Sequence, residues 1–395
     1  MSNPIEKVLL GAEDFSNGVD KIVVALHGLI ATQDGESKIT SWAQIQQIVR
    51  AGLAPKVFAI GDQLLVTKGD STIAFDIIGF DVDTPANPDF THSMTLQAHN
   101  TVENIMFDQA ELLHYVKDNV LPAGTYKFTL LHGQYGGGTA NDGTYQFTTT
   151  KDIPVGGGFR INAWGYYETS YNVLAKKIIT YDANGDALES DITITAYGGG
   201  AATDLGTYST RSADLTAEEL TYKNSIEKQG GGSNNYLNSG VRQWLNSDAA
   251  ANAWWSKKTV FQRKNGSAGT AGFLNGLDPE FLAIVGLATK DVKEDEVWDK
   301  GGMKTFADKF FLLSNKEIRF TTYADEGVDY PYWTRLIPVA TNDANNNRIK
   351  SNTYWWTRSC HRSHGYFQYV AIPTGAYSYN NAYNTYGVVP ACVII

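Results

Sequence analysis

Short strand-like runs separated by glycine triplets occupy residues 119–213, and they set the fold class of this part of the chain. The runs are rich in β-branched and aromatic residues: Thr125–Leu131, Gly143–Thr150 and Leu174–Tyr181. Almost no helical periodicity interrupts them, and strands at such regular spacing are typical of an antiparallel β-sandwich. We therefore predict that residues 119–213 form an immunoglobulin-like β-sandwich, inserted as a unit of its own.

Before this insertion the sequence predicts helices and strands together. Ser41 and Gln44 form a capping box at the start of a helix whose apolar face includes Ile45 and Ile48, and Gly52 supplies its end. Three strands and a second short helix capped by Asp108 are predicted to follow, over Val57–Ile60, Gln63–Thr67, Ile73–Phe80 and Asp108–Val116.

After the insertion, helix signals return and the chain ends in apolar strands. The predicted elements are helices starting at Thr216, around Val241–Leu245 and over Asp278–Val285, and strands over Phe310–Ser314 and Val388–Ile395. Residues 39–118 and 214–395 therefore read as one α+β domain split by the sandwich. Residues 1–38 hold one apolar run, which predicts either an attachment or oligomerisation segment or an ordinary edge strand.

Charge and cysteine content exclude several classes of partner and compartment. The formal net charge of −10 disfavours nucleic acid and anionic membranes, so we expect neither as a partner. The apolar run Ile22–Ala31 is about half of the roughly 20 residues that a membrane span needs. With two cysteines and a Met-Ser-Asn-Pro opening that lacks an apolar signal region, the chain is expected to be made in a reducing cytoplasm.

The C-terminal segment has the composition of a binding surface. Residues 351–395 contain seven Tyr, two Trp and one Phe, and their only charges are Arg358 and Arg362. Tyrosine supplies a large amphipathic contact area with few rotors, while Ser, Asn and Gly supply adaptable hydrogen bonds. The alternative is a Tyr/Asn-rich loop that packs on its own domain, but residues 377–386 hold few aliphatic side chains, so several rings are expected to be exposed. Trp355, Trp356, Val388 and Val389 are predicted to be buried supports.

Eight short motifs follow one another along the chain from residue 40 onward: Ser41–Ile45, Phe58–Gln63, Phe75–Asp81, Val241–Asn246, Gly272–Asp278, Asp308–Ser314, Tyr354–Ser359 and Gly387–Cys392. In this order they resemble a family common in phages and prophages of gut bacteria. The resemblance implies a C-type-lectin-like fold of the formylglycine-generating-enzyme type. It also implies a variable protein of a diversity-generating retroelement, in which adenines of a template are mutated and copied into the end of the gene, here about residues 350–395.

Diversification of this kind restricts which amino acids can occur at the variable positions, and the sequence can be compared with that restriction. Randomising the adenines of Asn codons (AAC) never yields Lys, Glu, Gln, Met or Trp. Among the 28 residues from Ser359 to Tyr386, only Gln368 belongs to that set, where ordinary composition gives about five or six. The segment therefore fits a diversified region.

The resemblance places the ligand-contacting positions in the same segment. They are His361, Arg362, His364, Tyr366, Phe367, Tyr369, Tyr377, Tyr379, Asn380, Asn381, Tyr383, Asn384 and Tyr386. Two residues depart from the family pattern: Gln368 lies outside the reachable set, and Cys360 stands where proline is expected.

Two groups of residues contain side chains that could bind a metal ion, but each has another explanation. The oxygen-rich loop with Asp81, Asp83, Asn87 and Asp89 is the candidate for calcium, but Asx turns around its prolines explain it equally well. Cys360, His361, His364 and Cys392 lack the spacing of a zinc module, and a cytoplasmic start argues against a Cys360–Cys392 disulfide. We expect no metal, no cofactor and no catalytic activity.

The composition of the C-terminal segment predicts a binding protein, and the resemblance implies that it is a phage-encoded receptor-binding protein on the tail of the virion, acting outside the cell. Its partners would be a protein or glycan of a bacterial surface and other virion proteins, and it could form a homo-oligomer. Two alternatives remain open. One is a carbohydrate-binding or adhesin module that uses Trp164, Tyr166 and Tyr167 of the sandwich; the other is a structural or decoration protein of the virion without a ligand.

Overall fold

The computed structural model describes residues 39, 41–133, 138–162, 172–222, 224 and 226–395. The predicted strand or attachment segment within residues 1–38 lies outside these ranges, and so do Trp164, Tyr166 and Tyr167 of the sandwich. In the ranges described, no helix is both long and apolar enough to cross a lipid bilayer. The chain has a mixed α+β fold dominated by strands, which confirms the predicted class.

Within these ranges there are seven short helices: α1 (Trp42–Arg50), α2 (Ala54–Val57), α3 (Ala217–Thr221), α4 (Glu227–Gly231), α5 (Gly240–Leu245), α6 (Pro279–Ile284) and α7 (Pro331–Leu336). The strands are β1 (Gln63–Lys68), β2 (Ser71–Phe80), β3 (Met94–Ala98), β4 (Glu103–Met106), β5 (His114–Tyr115), β6 (Gly124–Leu131), β7 (Gly143–Thr149), β8 (Gly158–Ile161), β9 (Lys177–Tyr181), β10 (Ala187–Thr193), β11 (Thr195–Ala196), β12 (Thr203–Ser209), β13 (Val285–Gly286), β14 (Ala288–Lys293), β15 (Met303–Asp308), β16 (Phe310–Phe311), β17 (Trp355–Cys360), β18 (Phe367–Ala371), β19 (Tyr377–Asn381), β20 (Thr385–Val388) and β21 (Ala391–Ile394).

The main sheet joins the two ends of the described chain. Its strand order is β1-β2-β3-β21-β13, and β16 also pairs with β21. The last strand therefore lies in the middle of the sheet, with all four of its residues buried. The predicted strand over residues 388–395 is interrupted at Pro390, which has no N–H to donate, so Val388 belongs to β20 instead.

Helix α1 begins at the capping box that the sequence predicts. The Gln44 N–H donates to Ser41 Oγ at 3.3 Å, and the Ser41 N–H donates to Gln44 Oε1 at 3.2 Å. Ile45, Ile48 and Val49 are buried in the main hydrophobic core. At the other end, Gly52 has a φ of 69°, a left-handed conformation that glycine adopts without steric cost.

Two four-stranded sheets form the predicted sandwich, with orders β10-β9-β8-β5 and β11-β7-β6-β12. Their facing side chains share a second hydrophobic core, in which the Phe159 ring lies 4.9 Å from Phe147 and 6.0 Å from Phe128. The expected antiparallel arrangement is wrong at one pair, because β12 runs parallel to β6. The core extends beyond the predicted limits of 119–213, from Leu113 to Ile226.

Two predicted elements before the sandwich are wrong. Residues 54–57 form helix α2 with Pro55 in its first turn, a position where the fixed φ of proline favours helix, so no strand covers Val57–Ile60. No helix follows Asp108, because its carboxylate accepts from Gln262 Nε2 at 2.9 Å and from the adjacent Gln109 N–H. Residues 114–115 instead form β5.

Candidate recognition surface

The predicted contact residues lie on and around one five-stranded sheet with the order β19-β18-β17-β20-β4. All residues of β17 and β18 are buried, whereas no residue of the edge strand β19 is. Trp355, Trp356, Val388 and Val389 have no exposed surface, which confirms them as buried supports. The sheet thus changes from core to surface across two strand spacings.

Strand pairing divides the predicted residues between the two faces of this sheet. Tyr379 lies opposite Tyr369, and Asn380 lies opposite Gln368. Because successive side chains of a strand point to opposite faces, Tyr379 and Asn380 are directed to different sides. The thirteen predicted residues therefore do not form one face. They form two clusters. The tyrosine cluster contains Tyr379 with His361, Phe367 and Tyr369. The amide cluster contains Asn380 with Asn384 and Tyr386.

The tyrosine cluster is a stack of rings with Tyr379 at its top. Tyr379 is 44% exposed, and its ring centroid lies 4.7 Å from His361, 4.9 Å from Phe367 and 6.0 Å from Tyr369. Phe367 and Tyr369 are only 5% and 4% exposed. Tilted and edge-to-face rings at these distances attract each other beyond their area burial. One exposed phenol is thus held on an aromatic floor.

Tyr323 is a member of this cluster that lies outside the predicted segment. Its ring centroid lies 5.5 Å from that of Tyr369, and Arg362 Cζ lies 3.8 Å from its ring centroid. Arg362 also forms an ion pair with Asp325, so its charge is compensated. The backbone φ of Tyr323 is 58°, a left-handed value that costs energy for a bulky residue. No sequence pattern connects position 323 with the C-terminal segment.

Two histidines at the margin of the cluster are uncharged at neutral pH. Burial, followed by the neighbouring His364, lowers the pKa of His361 to about 4, and burial also lowers the pKa of His364. Their Nδ1 atoms lie 3.1 Å apart, so one of the two donates a hydrogen bond and the other accepts it. With Arg362 paired to Asp325, the tyrosine cluster presents no uncompensated charge.

The amide cluster lies on the other side of β19 and is fixed by hydrogen bonds. Asn380 Nδ2 donates to the Tyr386 hydroxyl at 2.7 Å, and Asn384 Nδ2 donates to Asn380 Oδ1 at 2.5 Å. Tyr386 stacks on Tyr354 with ring centroids 4.9 Å apart and an interplanar angle of 20°. Tyr354, which is 36% exposed, was not among the predicted residues.

Some of the predicted residues are part of the floor rather than the surface. Tyr366 is 1% exposed and packs on Phe367 with ring centroids 4.4 Å apart. Phe367 and Tyr369 are buried because β18 has a strand on each side and Tyr379 and Tyr323 above it. The sequence predicts Tyr366, Phe367 and Tyr369 as exposed contacts, but all three are buried and support the surface from below. Tyr383 is half-buried, and its hydroxyl accepts from Asn381 Nδ2 at 3.3 Å.

A buried ion network holds β17, the strand next to β18 in this sheet. Arg358 Nη2 donates to Glu317 Oε1 at 2.8 Å, and Lys290 Nζ lies 2.5 Å from Glu317 Oε1 and 2.7 Å from Asp83 Oδ1. Burial alone would raise the pKa of Glu317, but Arg358 and Lys290 outweigh it and lower the pKa to about 2. Arg358, predicted as one of two charges of the segment, is thus neutralised inside the core.

This network also includes Asp83, one of the four residues of the calcium candidate. Asp83 is occupied by Lys290 and by the Tyr330 hydroxyl, which donates to it at 2.7 Å. Asp81 instead accepts from the Ser93 N–H, and Asn87 accepts from the Asp89 N–H. Asp81, Asp83 and Asn87 are thus each engaged by groups of the protein itself. In the described part of the chain, no three His, Cys, Asp or Glu side chains are grouped so that they could hold a metal ion.

Cys360 and Cys392, the candidates for zinc ligation or a disulfide, are both free thiols buried in the core. Burial raises the pKa of each thiol well above its ordinary value, so both stay protonated. Cys360 Sγ lies 3.1 Å from the Lys293 carbonyl oxygen, to which it donates. The two cysteines therefore act as small apolar residues of β17 and β21.

Comparison with known proteins adds a family match for the second part of the chain. No curated protein and no solved structure matches the chain. The match begins at β12, the last strand of the sandwich, and includes every residue of the tyrosine and amide clusters. Residues 203–395 match a family described as a domain of unknown function, DUF6273.

Proposed function

We propose that the tyrosine cluster is the recognition surface of a phage-encoded receptor-binding protein that engages a molecule on a bacterial surface. The observation that carries this proposal is the exposed Tyr379 ring held on the buried rings of Phe367 and Tyr369. An aromatic side chain that is already fixed loses little conformational entropy when a partner covers it. In this proposal the scaffold is a C-type-lectin-like domain, and the sandwich is its immunoglobulin-like insertion.

The electrostatics of the cluster favour a neutral or polar ligand. His361 is uncharged at neutral pH, and Arg362 is paired with Asp325. A binding surface without free charge gains affinity from ring contact and hydrogen bonding rather than from ion pairs. Sugar rings and uncharged side chains of a surface protein are ligands of this kind.

Diversification of the segment is part of the proposal, and the burial of Gln368 supports it. Gln368 is the one residue between 359 and 386 that mutated Asn codons cannot reach. It has no exposed surface, and its Nε2 donates to the Thr357 carbonyl at 2.6 Å. Its side chain is directed away from Tyr379, toward the face that Asn380 shares. A fixed residue at such a position is compatible with variation at the exposed positions around it.

A pair of exposed tyrosines on opposite sides of β19 provides the binding test. We expect Tyr379→Ala to weaken binding of the fluorescently labelled protein to a panel of gut bacterial strains at least about tenfold, as for a hot-spot aromatic. Tyr354→Ala is the matched control, because Tyr354 is also exposed but belongs to the amide cluster. If both variants bind like the parent protein, or only Tyr354→Ala loses binding, the tyrosine cluster is not the recognition surface.

A second test uses the gene. We expect a near-copy of the segment encoding residues 350–395, differing at adenines and lying beside a reverse transcriptase gene. Among related isolates, substitutions should fall on residues such as His361, Tyr379 and Asn384 and should spare Gln368 and Val370. An even spread of substitutions over both faces of β18, or the absence of a near-copy, would contradict diversification while leaving the binding test valid.

A further inference from the structure

A polar cavity lies apart from both clusters. It is open to solvent, has a volume of about 350 Å³, and is bounded by α5, the loop at residues 254–258 and the end of β15. None of the residues that line it belongs to the tyrosine or the amide cluster, and none lies within residues 350–395. Its volume falls within the range of sites for small ligands. A ligand of this cavity would therefore be independent of variation in the C-terminal segment.

One wall of the cavity is a charge pair whose geometry is fixed. Arg242 Nε donates to Asp308 Oδ2 at 2.7 Å, and Arg242 Nη2 donates to Asp308 Oδ1 at 2.9 Å. The third nitrogen, Nη1, donates to the Leu237 carbonyl at 2.9 Å. Arg242 is thus fully engaged, as in other bidentate pairs. The carboxylate oxygens of Asp308 retain further lone pairs that can accept from hydroxyl groups.

Gln243 brings an unpaired hydrogen-bond donor to the same cavity. Its Oε1 accepts from the Ser256 N–H at 2.9 Å and from Ser256 Oγ at 3.3 Å. Because a backbone N–H can only donate, the first of these contacts fixes which end of the amide is the oxygen. The other end, Nε2, is buried and has no hydrogen-bond partner in the described part of the chain. A buried donor of this kind costs free energy until an acceptor reaches it.

Lys258 gives the cavity an excess of positive charge. Its side chain is exposed, and its Nζ donates to Ser256 Oγ at 3.0 Å. Ser256 Oγ is also the atom that contacts Gln243, so the Lys258 and Gln243 donors lie close together. Among the described residues that line the cavity, Arg242 and Lys258 are the cations and Asp308 is the one carboxylate, which Arg242 already holds. The charge of Lys258 therefore remains uncompensated within the cavity.

Apolar surface completes the lining. Leu237 and Trp254 both border the cavity. The Trp254 Nε1 donates to the Thr270 carbonyl at 2.6 Å, so this N–H is not available to a ligand and the indole contributes apolar contact. Apolar surface beside a few directed polar groups is typical of sites for small ligands. A sugar ring, with C–H groups on its face and hydroxyl groups on its rim, matches such a lining.

We propose that this cavity binds an acidic sugar, a hydroxylated ring that carries a carboxylate. The carboxylate accepts from Lys258 Nζ and Gln243 Nε2, and ring hydroxyl groups donate to Asp308. The C–H face of the ring lies against Leu237 and Trp254. The protein then has a second ligand site, whose residues are constant while those of the tyrosine cluster vary.

Methyl β-glucuronide and methyl β-glucoside test this proposal on the full-length chain, because they differ only in a carboxylate that replaces a CH₂OH group. Titration followed by saturation-transfer NMR measures both affinities. We expect the glucuronide to bind at least about tenfold more tightly, as for a charge-assisted hydrogen bond. Equal affinities, or no binding of the glucuronide, would overturn the proposal. Sodium acetate that competes as strongly as the glucuronide would show that the sugar ring is not recognised and would overturn it as well.

Substitutions locate the binding site. Lys258→Gln removes the charge from an exposed side chain and should weaken glucuronide binding at least about tenfold. Lys56→Gln is the matched control, because it removes the same charge from an exposed lysine that does not line the cavity, and it should leave the affinity unchanged. Equal affinities in Lys258→Gln and Lys56→Gln would overturn the proposal.

Two further variants separate this site from its surroundings. Gln243→Glu keeps an oxygen for the Ser256 N–H and replaces the Nε2 donor with a carboxylate oxygen, so it should abolish glucuronide binding. If Gln243→Glu unfolds the chain, Lys258→Gln decides the outcome. Tyr379→Ala should bind the glucuronide like the parent protein. A loss in Tyr379→Ala as large as that in Lys258→Gln would assign the sugar to the tyrosine cluster and overturn the second site.

Discussion

Strands β17 and β19 belong to the same sheet and are separated only by β18, but they bury their side chains to opposite extents. All six residues of β17 are buried, and Arg358 in its centre binds Glu317 and three backbone carbonyls. No residue of β19 is buried. Within one sheet, β17 contributes to the stability of the fold and β19 presents its side chains to solvent. A substitution in β19 therefore need not affect the fold.

The largest effect is expected at the buried ion pair of β17. Arg358→Leu should lower the free energy of unfolding by about 3–5 kcal/mol, because it leaves Glu317 charged and short of a partner in the core. Urea denaturation measures the change. Arg362→Leu is the matched control: its pair with Asp325 is partly exposed, so its loss should cost less than about 1 kcal/mol. Equal losses in the two variants would mean that the buried ion pair of β17 contributes no more to stability than a partly exposed ion pair outside the strand.

A substitution in the aromatic floor should have the next largest effect. Tyr369→Ala removes a ring that is 4% exposed and contacts both Tyr323 and Tyr379. We expect a loss of about 3 kcal/mol, as for other buried aromatic residues that are truncated to alanine. The melting temperature and the urea midpoint should both fall. An unchanged midpoint would mean that β18 contributes as little to stability as the edge strand β19.

Lowering the pH should reduce the free energy of unfolding through His361, at the margin of the tyrosine cluster, by less than the substitution Tyr369→Ala does. The pKa of His361 is lowered to about 4 in the folded chain, so the unfolded chain takes up a proton first as the pH falls below about 6.5. The contribution of His361 to stability is therefore complete above pH 6.5 and is lost toward pH 4. Urea midpoints at pH 7, 5.5 and 4.5 should fall less steeply in His361→Asn than in the parent protein. If the urea midpoint falls equally with pH in both proteins, protonation of His361 does not affect the stability of the fold.

The smallest effect is expected at the edge itself. Tyr379→Asn should lower the free energy of unfolding by about 1 kcal/mol, because the ring is 44% exposed and β19 keeps its backbone pairing, so that mainly the contacts with neighbouring rings are lost. Thermal melting beside Tyr369→Ala provides the comparison. A loss as large as that of Tyr369→Ala would show that Tyr379 supports the fold and is not free to vary.

Local signals along the sequence predicted much of the scaffold. The capping box of α1, the strands β1 and β2, the aromatic strands of the sandwich and the buried pair Trp355 and Trp356 all follow from nearest-neighbour chemistry and periodicity. The failures at residues 57–60 and 108–116 have a different origin. There, Pro55 and the distant Gln262 decided the structure.

The two clusters were beyond sequence reasoning because they depend on strand pairing. Tyr369 and Tyr379 are the same residue type in similar polar and aromatic surroundings, and only the position of β18 inside the sheet and β19 at its edge separates buried from exposed. Register also assigns Tyr379 and Asn380 to different faces. Tyr323 and Glu317 join the site from earlier in the chain through contacts that no local pattern encodes.

The position of β21 has a consequence for the order in which the fold can be completed. This strand lies between β3 and β13, and Gln46 of α1 donates to the carbonyl of Ile395, 349 positions later in the sequence, at 2.7 Å. The main sheet therefore cannot form in full until residues 391–395 have been synthesised. A frameshift or stop codon between residues 350 and 390 would remove this strand and leave β3 and β13 without their shared partner. Completion of the main sheet thus depends on correct translation of the segment in which the sequence variation is proposed.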